Sequence, residues 1–378
     1  MQDIEFCYFD AGGGHRAAAT ALRMAIEGQL RPWEIHLTNL QELFDEIDIL
    51  KKYAGIRMQD LYNGMLRKDW TFASPPLLRG LQVVVRAYHR SIVCLIEEHW
   101  RQTRPAMVVS FVPHFNRALC ESYRRVFPSR PFVTVLTDLA DYPPHFWIER
   151  QEQFFVCGSE RAVDQAVGLG HHPRRIFHAS GMILHPRFYD PQPADVAFER
   201  RRLGLLPHVP TAMVSFGGYG NCVMEEIVDR LDRSDLDLQL ILICGRNQEL
   251  ATTLRAKKSR IRYCVEDFTN EIPYYMHLSD FFIGKPGPGS ISEARAKQLP
   301  VIVECNRWTL PQERYNTQWV RENNAGIVVS SFRHIVPAVK RLLHPERLAG
   351  CRVNNRAPNR AVFEIPDFME SIFQRTRA

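Results

Sequence analysis

Asp10-Ala11-Gly12-Gly13-Gly14-His15-Arg16 stands between an apolar run over residues 1–9 and an Ala-rich helical stretch over residues 16–29. A strand, a glycine turn and a helix in that order open a parallel βαβ unit. Working outward from it, apolar strand patterns recur at residues 33–37, 107–111, 132–136 and 153–157, with helical patterns between them, the longest over 76–100. Tyr189-Asp190-Pro191-Gln192-Pro193 reads as a linker, since two prolines and no apolar period cannot continue a helix or a central strand. The alternation then restarts with strand patterns at 211–216, 238–244, 261–265, 280–283, 300–304 and 326–329. The expected fold class is therefore α/β: two Rossmann-like, doubly wound domains facing a cleft, spanning residues 1–190 and 191–352. Residues 353–378 are expected to pack near the domain junction.

Composition agrees with a folded protein of this size. Apolar residues at 45% and charged residues at 24% leave enough material for two cores and exclude a disordered chain. No apolar run approaches the roughly 20 residues of a membrane span, and the first residues carry acids instead of a signal core. Nine cysteines without a CxxC pair argue for reduced thiols, not a disulfide framework or a zinc site. These features point to a cytoplasmic protein. The net charge of +6 is uneven: residues 51–130 hold 14 Lys or Arg against 5 Asp or Glu. Trp70, Phe72, Leu77, Leu78, Tyr88 and Trp100 are interleaved with those cations, a mixture suited to an anionic membrane surface, or to a solvated helix face with a buried opposite side.

Three glycine loops each follow an expected strand and precede an expected helix: Gly12-Gly13-Gly14-His15, Gly217-Gly218-Tyr219-Gly220-Asn221, and Gly284-Lys285-Pro286-Gly287-Pro288-Gly289-Ser290. Each would aim unpaired backbone N–H groups and a helix's positive end at a ligand, with glycine allowing close approach. One such loop is often just a tight turn; three on two α/β halves make a more specific pattern. No GxxxxGK[ST] occurs, against a P-loop nucleotidase. The first loop is not GxGxxG, and no acid follows His36-Leu37-Thr38-Asn39 where a ribose of a dinucleotide would need one.

The run from Asp10 to Ala17 resembles the N-terminal signature of glycosyltransferase family 28. Within it, the run looks like that of monogalactosyldiacylglycerol synthases and bacterial processive diacylglycerol glycosyltransferases, and more distantly that of MurG. Other blocks match in order: Pro113 after Val109-Ser110; Thr137-Asp138-Leu139 with Trp147; Gly181 to Phe188; Lys285-Pro286-Gly287 through Ala294; and Gln312-Glu313 with Asn316. Pro311 and Glu149 depart from the family pattern.

The resemblance implies a GT-B fold and an inverting transfer without a required metal. A UDP-sugar would be a substrate held by the C-terminal half, and the acceptor would bind the N-terminal half. An inverting displacement needs a base for the acceptor proton: His15, whose pKa the positive end of the following helix is expected to lower, or Asp138. The competing roles are a histidine that only orients the loop or substrate and an aspartate that caps a helix or braces the loop. The resemblance further implies donor contacts from Gly218, Gly220, Phe268, Gly287, Gly289, Ser290, Glu293, Gln312 and Glu313, and an acceptor-side loop of Gly13, Gly14, Pro113 and Trp147. Ser290-Ile291-Ser292-Glu293 also reads as a capping box, which would occupy Glu293 structurally. The partners implied are a UDP-sugar, a lipid acceptor and an anionic membrane face, reached peripherally from the cytoplasm; no nucleic acid is implied. Alternatives with the same architecture are transfer to a soluble metabolite or cell-wall precursor, a UDP-sugar epimerase or hydrolase, and an idle binding protein.

Overall fold

The computed structural model describes residues 2–10, 13–44, 89–355 and 358–377. Along the chain the elements are β1 (Gln2–Tyr8), α1 (Gly14–Gly28), β2 (Trp33–Asn39), α2 (Leu40–Phe44), α3 (His89–Thr103), β3 (Met107–Ser110), α4 (Asn116–Val126), β4 (Phe132–Val135), β5 (Phe154–Cys157), α5 (Glu160–Gly168) and β6 (Ile176–His178). They continue with α6 (Val196–Arg202), β7 (Thr211–Ser215), α7 (Val223–Asp232), β8 (Gln239–Ile243), α8 (Gln248–Ala256), β9 (Tyr263–Glu266), α9 (Ile272–His277), β10 (Phe281–Gly284) and α10 (Pro288–Ala296). The last are β11 (Val301–Glu304), α11 (Arg314–Glu322), β12 (Gly326–Val329), α12 (Ile335–Leu342), α13 (Pro345–Asn354) and α14 (Ala361–Arg377).

Two compact units result. Met1–Pro186, Leu310–Gln312 and Asn359–Ala378 belong to the first, Arg187–Thr309 and Glu313–Pro358 to the second. Each contains a six-stranded, wholly parallel sheet, ordered β2-β1-β3-β4-β5-β6 in the first and β12-β11-β10-β7-β8-β9 in the second. Strands with helices on both faces are buried on both sides, so they read as unbroken apolar runs: Phe132–Val135 and Gln239–Ile243 are buried throughout.

In the first unit a charged residue, Glu5, is buried in the middle of β1. Thr38 Oγ1 donates to its carboxylate at 2.7 Å and the His99 ring closes on the same oxygen, so the buried charge is partnered. Helix α14 packs on this unit. Phe368 stacks on Phe177 and meets Phe154 edge-on, Phe373 meets Trp33, and Arg31 binds both Asp367 and Glu370.

The helical pattern expected over 76–100 is described from His89 onward and runs to Thr103; its earlier part lies outside the described residues. Much of the basic segment 51–130 lies there too. In its described part three arginines are in ion pairs: Arg101 and Arg125 pair with Glu97, Arg125 also with Glu121, and Arg124 with Glu152. Trp100 is fully buried. Among the described residues no helix is long and apolar enough to cross a membrane.

In the second unit, the edge strand β12 can lie against β11 only because Gly326 has no side chain. A β-carbon there would stand 1.9 Å from the Val301 carbonyl oxygen, a backbone atom that cannot swing away. Gly326→Ala is expected to cost about 3 kcal/mol, near the upper end of ordinary single substitutions. Urea unfolding measures it; a loss below about 0.5 kcal/mol would show that the strand pair tolerates the methyl group.

Candidate functional site

Ligands enter a parallel sheet at its carboxyl edge, where neighbouring strands send their crossovers to opposite sides. That point falls between β1 and β3 in the first unit and between β7 and β10 in the second. The register sets the paired strands to end abreast, Cys7 beside Ser110 and Ser215 beside Gly284. The first glycine loop leaves β1, the second leaves β7 and the third leaves β10. All three therefore stand at switch points.

In the first unit, α1 begins after Gly13, which takes a left-handed φ of +80° and offers no side-chain cap. A side chain at Gly13 or Gly14 would meet no atom within 4 Å, so both stand open. His15 follows in the first turn. Its Nδ1 and Thr137 Oγ1, in the loop after β4, are hydrogen-bonded at 2.8 Å. The ring also lies 5.6 Å from that of Trp147. Burial lowers the His15 pKa from 6.5 to about 4, so the imidazole is neutral near pH 7. The cause is burial rather than the helix end, and the side chain keeps part of its surface.

Asp138 is buried, and its Oδ2 accepts the Trp147 indole N–H at 2.9 Å. This carboxylate therefore braces the wall on which His15 rests. Trp147 itself has no exposed surface. Asp141 holds the same loop from the other side. Its Oδ1 accepts the Trp147 amide at 2.6 Å and its Oδ2 the His145 amide at 2.9 Å. Pro113 lies in the loop after β3, which is tied down where the His114 amide donates to the Phe146 carbonyl at 2.7 Å. Asn116 Nδ2 donates to the Trp147 carbonyl at 2.9 Å. Thr137 and Asn116 reach His15 and Trp147 across 122 and 31 residues, too far for spacing to reveal, whereas Asp141 is six positions from Trp147.

In the second unit the second and third loops converge on Lys285. A β-carbon at Gly217 would stand 3.5 Å from Lys285 Cε. One at Gly287 would stand 3.5 Å from the same carbon, 3.8 Å from Ser290 Oγ and 3.9 Å from Glu313 Oε1. Lys285 Nζ lies 3.6 Å from Glu313 Oε1. Gly218 and Gly289 face open space, whereas Gly220 is demanded by packing, since a β-carbon there would meet the Cys244 carbonyl at 2.5 Å. Asn316 Nδ2 donates to the Pro286 carbonyl at 2.8 Å and holds the third loop from beneath. Gln312 and Glu313 share the short turn Pro311–Glu313, with Gln312 grouped in the first unit and Glu313 in the second. Phe268, after β9, is 49% exposed and lies under the Arg246 guanidinium at 4.3 Å from its centroid. Lys285 and Arg246 are cations that the sequence reading left unassigned, although Lys285 stands inside the quoted loop.

The capping-box reading of Ser290 to Glu293 is corrected. Helix α10 starts earlier, with Gly287 as N-cap and Pro288, whose ring presets φ, in its first turn. Glu293 is thus in the second turn, past the orphan amides a capping carboxylate would bind. Among the described residues its side chain has no hydrogen-bond or ionic partner. Burial raises its pKa from 4.5 to about 7.

Three ligand-type side chains cluster elsewhere. Asp3, Glu34 and His36 come within 4.8 Å of one another, all exposed, near the starts of β1 and β2 and away from the loops.

Residues 219–370 match the glycosyltransferase family 28 C-terminal domain. The chain carries a family 28 glycosyltransferase domain. It is 28% identical to "Probable monogalactosyldiacylglycerol synthase 2, chloroplastic" of Oryza sativa subsp. indica, over 94% of this chain and 77% of that protein. In fold it resembles Acinetobacter baumannii MurG, with a TM-score of 0.62 and 11% identity over 98% of this chain and 99% of that one. It also resembles S. aureus MnaA in a co-structure with UDP, with a TM-score of 0.61 and 16% identity over 99% and 97%. The two parallel sheets are those of the GT-B architecture, and the enzyme class is glycosyltransferase.

The Glu293 carboxyl gives a pH test. Between pH 4.5 and about 7 the folded chain keeps a proton that the unfolded chain has released. Stability of the free protein therefore falls as pH rises through that window, by up to about 3 kcal/mol from this group. Glu293→Gln should flatten the fall and leave the variant at least as stable as wild type at pH 8, measured by urea melts at several pH values. A variant clearly less stable at pH 8 would show that the carboxylate is held by the fold.

Proposed function

We propose that this glycosyltransferase moves a hexose or N-acetylhexosamine from a UDP-sugar to a hydroxyl of a diacylglycerol-type lipid, with inversion at the anomeric carbon. The observation that carries the donor half is Glu293, a half-buried carboxylate with no partner among the described residues, in the second turn of the helix that follows the third glycine loop at the switch point. A ribose offers two hydroxyl donors, which is what such a group lacks. Open glycines at 218 and 289 and the Lys285 ammonium suit a diphosphate. Phe268 after β9 lies two strands from β7, about 10 Å at ordinary strand spacing, the scale of a nucleoside diphosphate from base to phosphate. The UDP bound to a protein of like fold supports this donor, and similarity to a monogalactosyldiacylglycerol synthase supports the lipid acceptor.

The chemistry then follows from the residues. With Nδ1–H donating to Thr137 Oγ1, the His15 Nε2 lone pair takes the acceptor's hydroxyl proton. The acceptor oxygen forms its bond to the anomeric carbon as the bond from that carbon to the β-phosphate oxygen breaks. The electron pair leaves with UDP, stabilised by Lys285 and the helix-start amides of α10. A neutral imidazole is the form required. Asp138 acts through Trp147 as a positioning residue in this reading.

His15→Ala should lower transfer by about 10²- to 10⁴-fold, the usual contribution of a general base, while UDP binding stays within about twofold. The test uses a panel of UDP-sugars with diacylglycerol and with soluble acceptors, scored for UDP release and glycoside formed. Transfer by His15→Ala at the wild-type rate would remove His15 from the mechanism. Free sugar formed without glycoside would replace transferase action on these acceptors with hydrolysis.

A further inference from the structure

The opposite edge of the second sheet holds a second concavity. Lys340 and Arg341 lie in the last turn of α12, His344 in the turn that follows, and Arg347 in the first turns of α13. With Asn324, Pro337, Glu346 and Gly350 they line a pocket of about 620 Å³. A helix that follows a parallel strand returns to the sheet's amino edge. This pocket beside the start of β12 is therefore at the far edge from the glycine loops. Its volume suits a small organic ligand, well beyond a lone ion.

The charges of the pocket are unspent. Among the described residues, none of Lys340, Arg341, His344 and Arg347 has an acidic partner. Nearby Arg352 does, at 2.9 Å from Asp280. Arg347 is anchored by Nη2, which donates to the Gly326 carbonyl at 3.1 Å, while its buried Nε has no hydrogen-bond partner. A position near a helix C-terminus favours Lys340 and Arg341 individually. It does not account for their lining one open surface groove together with Arg347 and His344. Three fixed cations against the one carboxylate of Glu346 leave an excess of two positive charges.

We propose that this pocket binds a phosphate-bearing anion of one to two negative charges, as a site separate from the glycine loops. The phosphate sits between Lys340, Arg341 and Arg347, and the cavity takes the organic group it carries. The same chemistry is offered by a soluble phosphate ester and by an anionic lipid headgroup, so two probes separate the sources. Lys340 and Arg341 are exposed, and their double charge reversal should leave the fold intact. Circular dichroism checks this, with K340Q/R341Q as the milder substitute if the reversal unfolds.

Calorimetric titration of the full chain with glycerol 3-phosphate reads the first source. Flotation with phosphatidylcholine vesicles, with and without phosphatidylserine, reads the second. Binding of glycerol 3-phosphate that weakens about tenfold in K340E/R341E supports a soluble ester. Capture only by phosphatidylserine vesicles, lost in the same variant, supports a headgroup. Wild-type protein that binds neither probe, or a folded variant that binds as tightly as wild type, overturns the proposal.

Discussion

A parallel sheet with helices on both faces has one place where its backbone can meet a ligand, and both units are arranged around it. Adjacent strands normally send their crossovers to the same side, and the helices close over the carboxyl edge. Where two neighbours diverge, the edge stays open and the helix starts are exposed. The pair β1 and β3 makes that opening in one unit, and β7 and β10 in the other. The three glycine loops hang on those ends. Glycine is used at each where a side chain would fill the opening or where φ must be positive, as at Gly13.

Such loops have no ladder of their own, so they are held by side chains from elsewhere in the chain. Asn316 secures the third loop through the Pro286 carbonyl, and Glu313 sits against the Lys285 that lies near both the second and third loops. On the other unit, Asp141, Asp138 and Asn116 fix Trp147, and Trp147 with Thr137 fixes His15. Each of these carboxylates and amides is spent on the fold. Glu293 is not, and burial without a partner keeps its proton at a pH where other glutamates have lost theirs. That contrast sets Glu293 apart from the groups that brace the loops.

The fold was legible because buried parallel strands write themselves as short apolar runs between helical periods, with a glycine turn at each strand end. The three glycine loops were visible for the same reason. Errors arose at element ends. The strand expected over 261–265 is Tyr263–Glu266, and α10 begins at Pro288, which displaced Glu293 from the capping position its spacing suggested. A proline at the first helical turn was the local signal that would have moved that boundary. The basic excess over 51–130 was a count without a geometry. Among its described residues Arg101, Arg124 and Arg125 pair with glutamates, while Lys340, Arg341 and Arg347 of α12 and α13, without acidic partners among the described residues, lie outside that segment.

The sequence by itself determined the α/β class, the position of the glycine turns and the presence of a histidine and a glutamate beside them. Those follow from local periodicity and from residues whose backbone freedom is unusual. Only the tertiary structure decided what each side chain is free to do. Whether Asp138 offers a carboxylate to a substrate or spends it on the Trp147 indole depends on a residue nine positions away. Whether His15 is neutral depends on atoms gathered from distant strands. Burial and partnership are properties of neighbours brought together by folding, and the spacing of letters along a chain does not carry them.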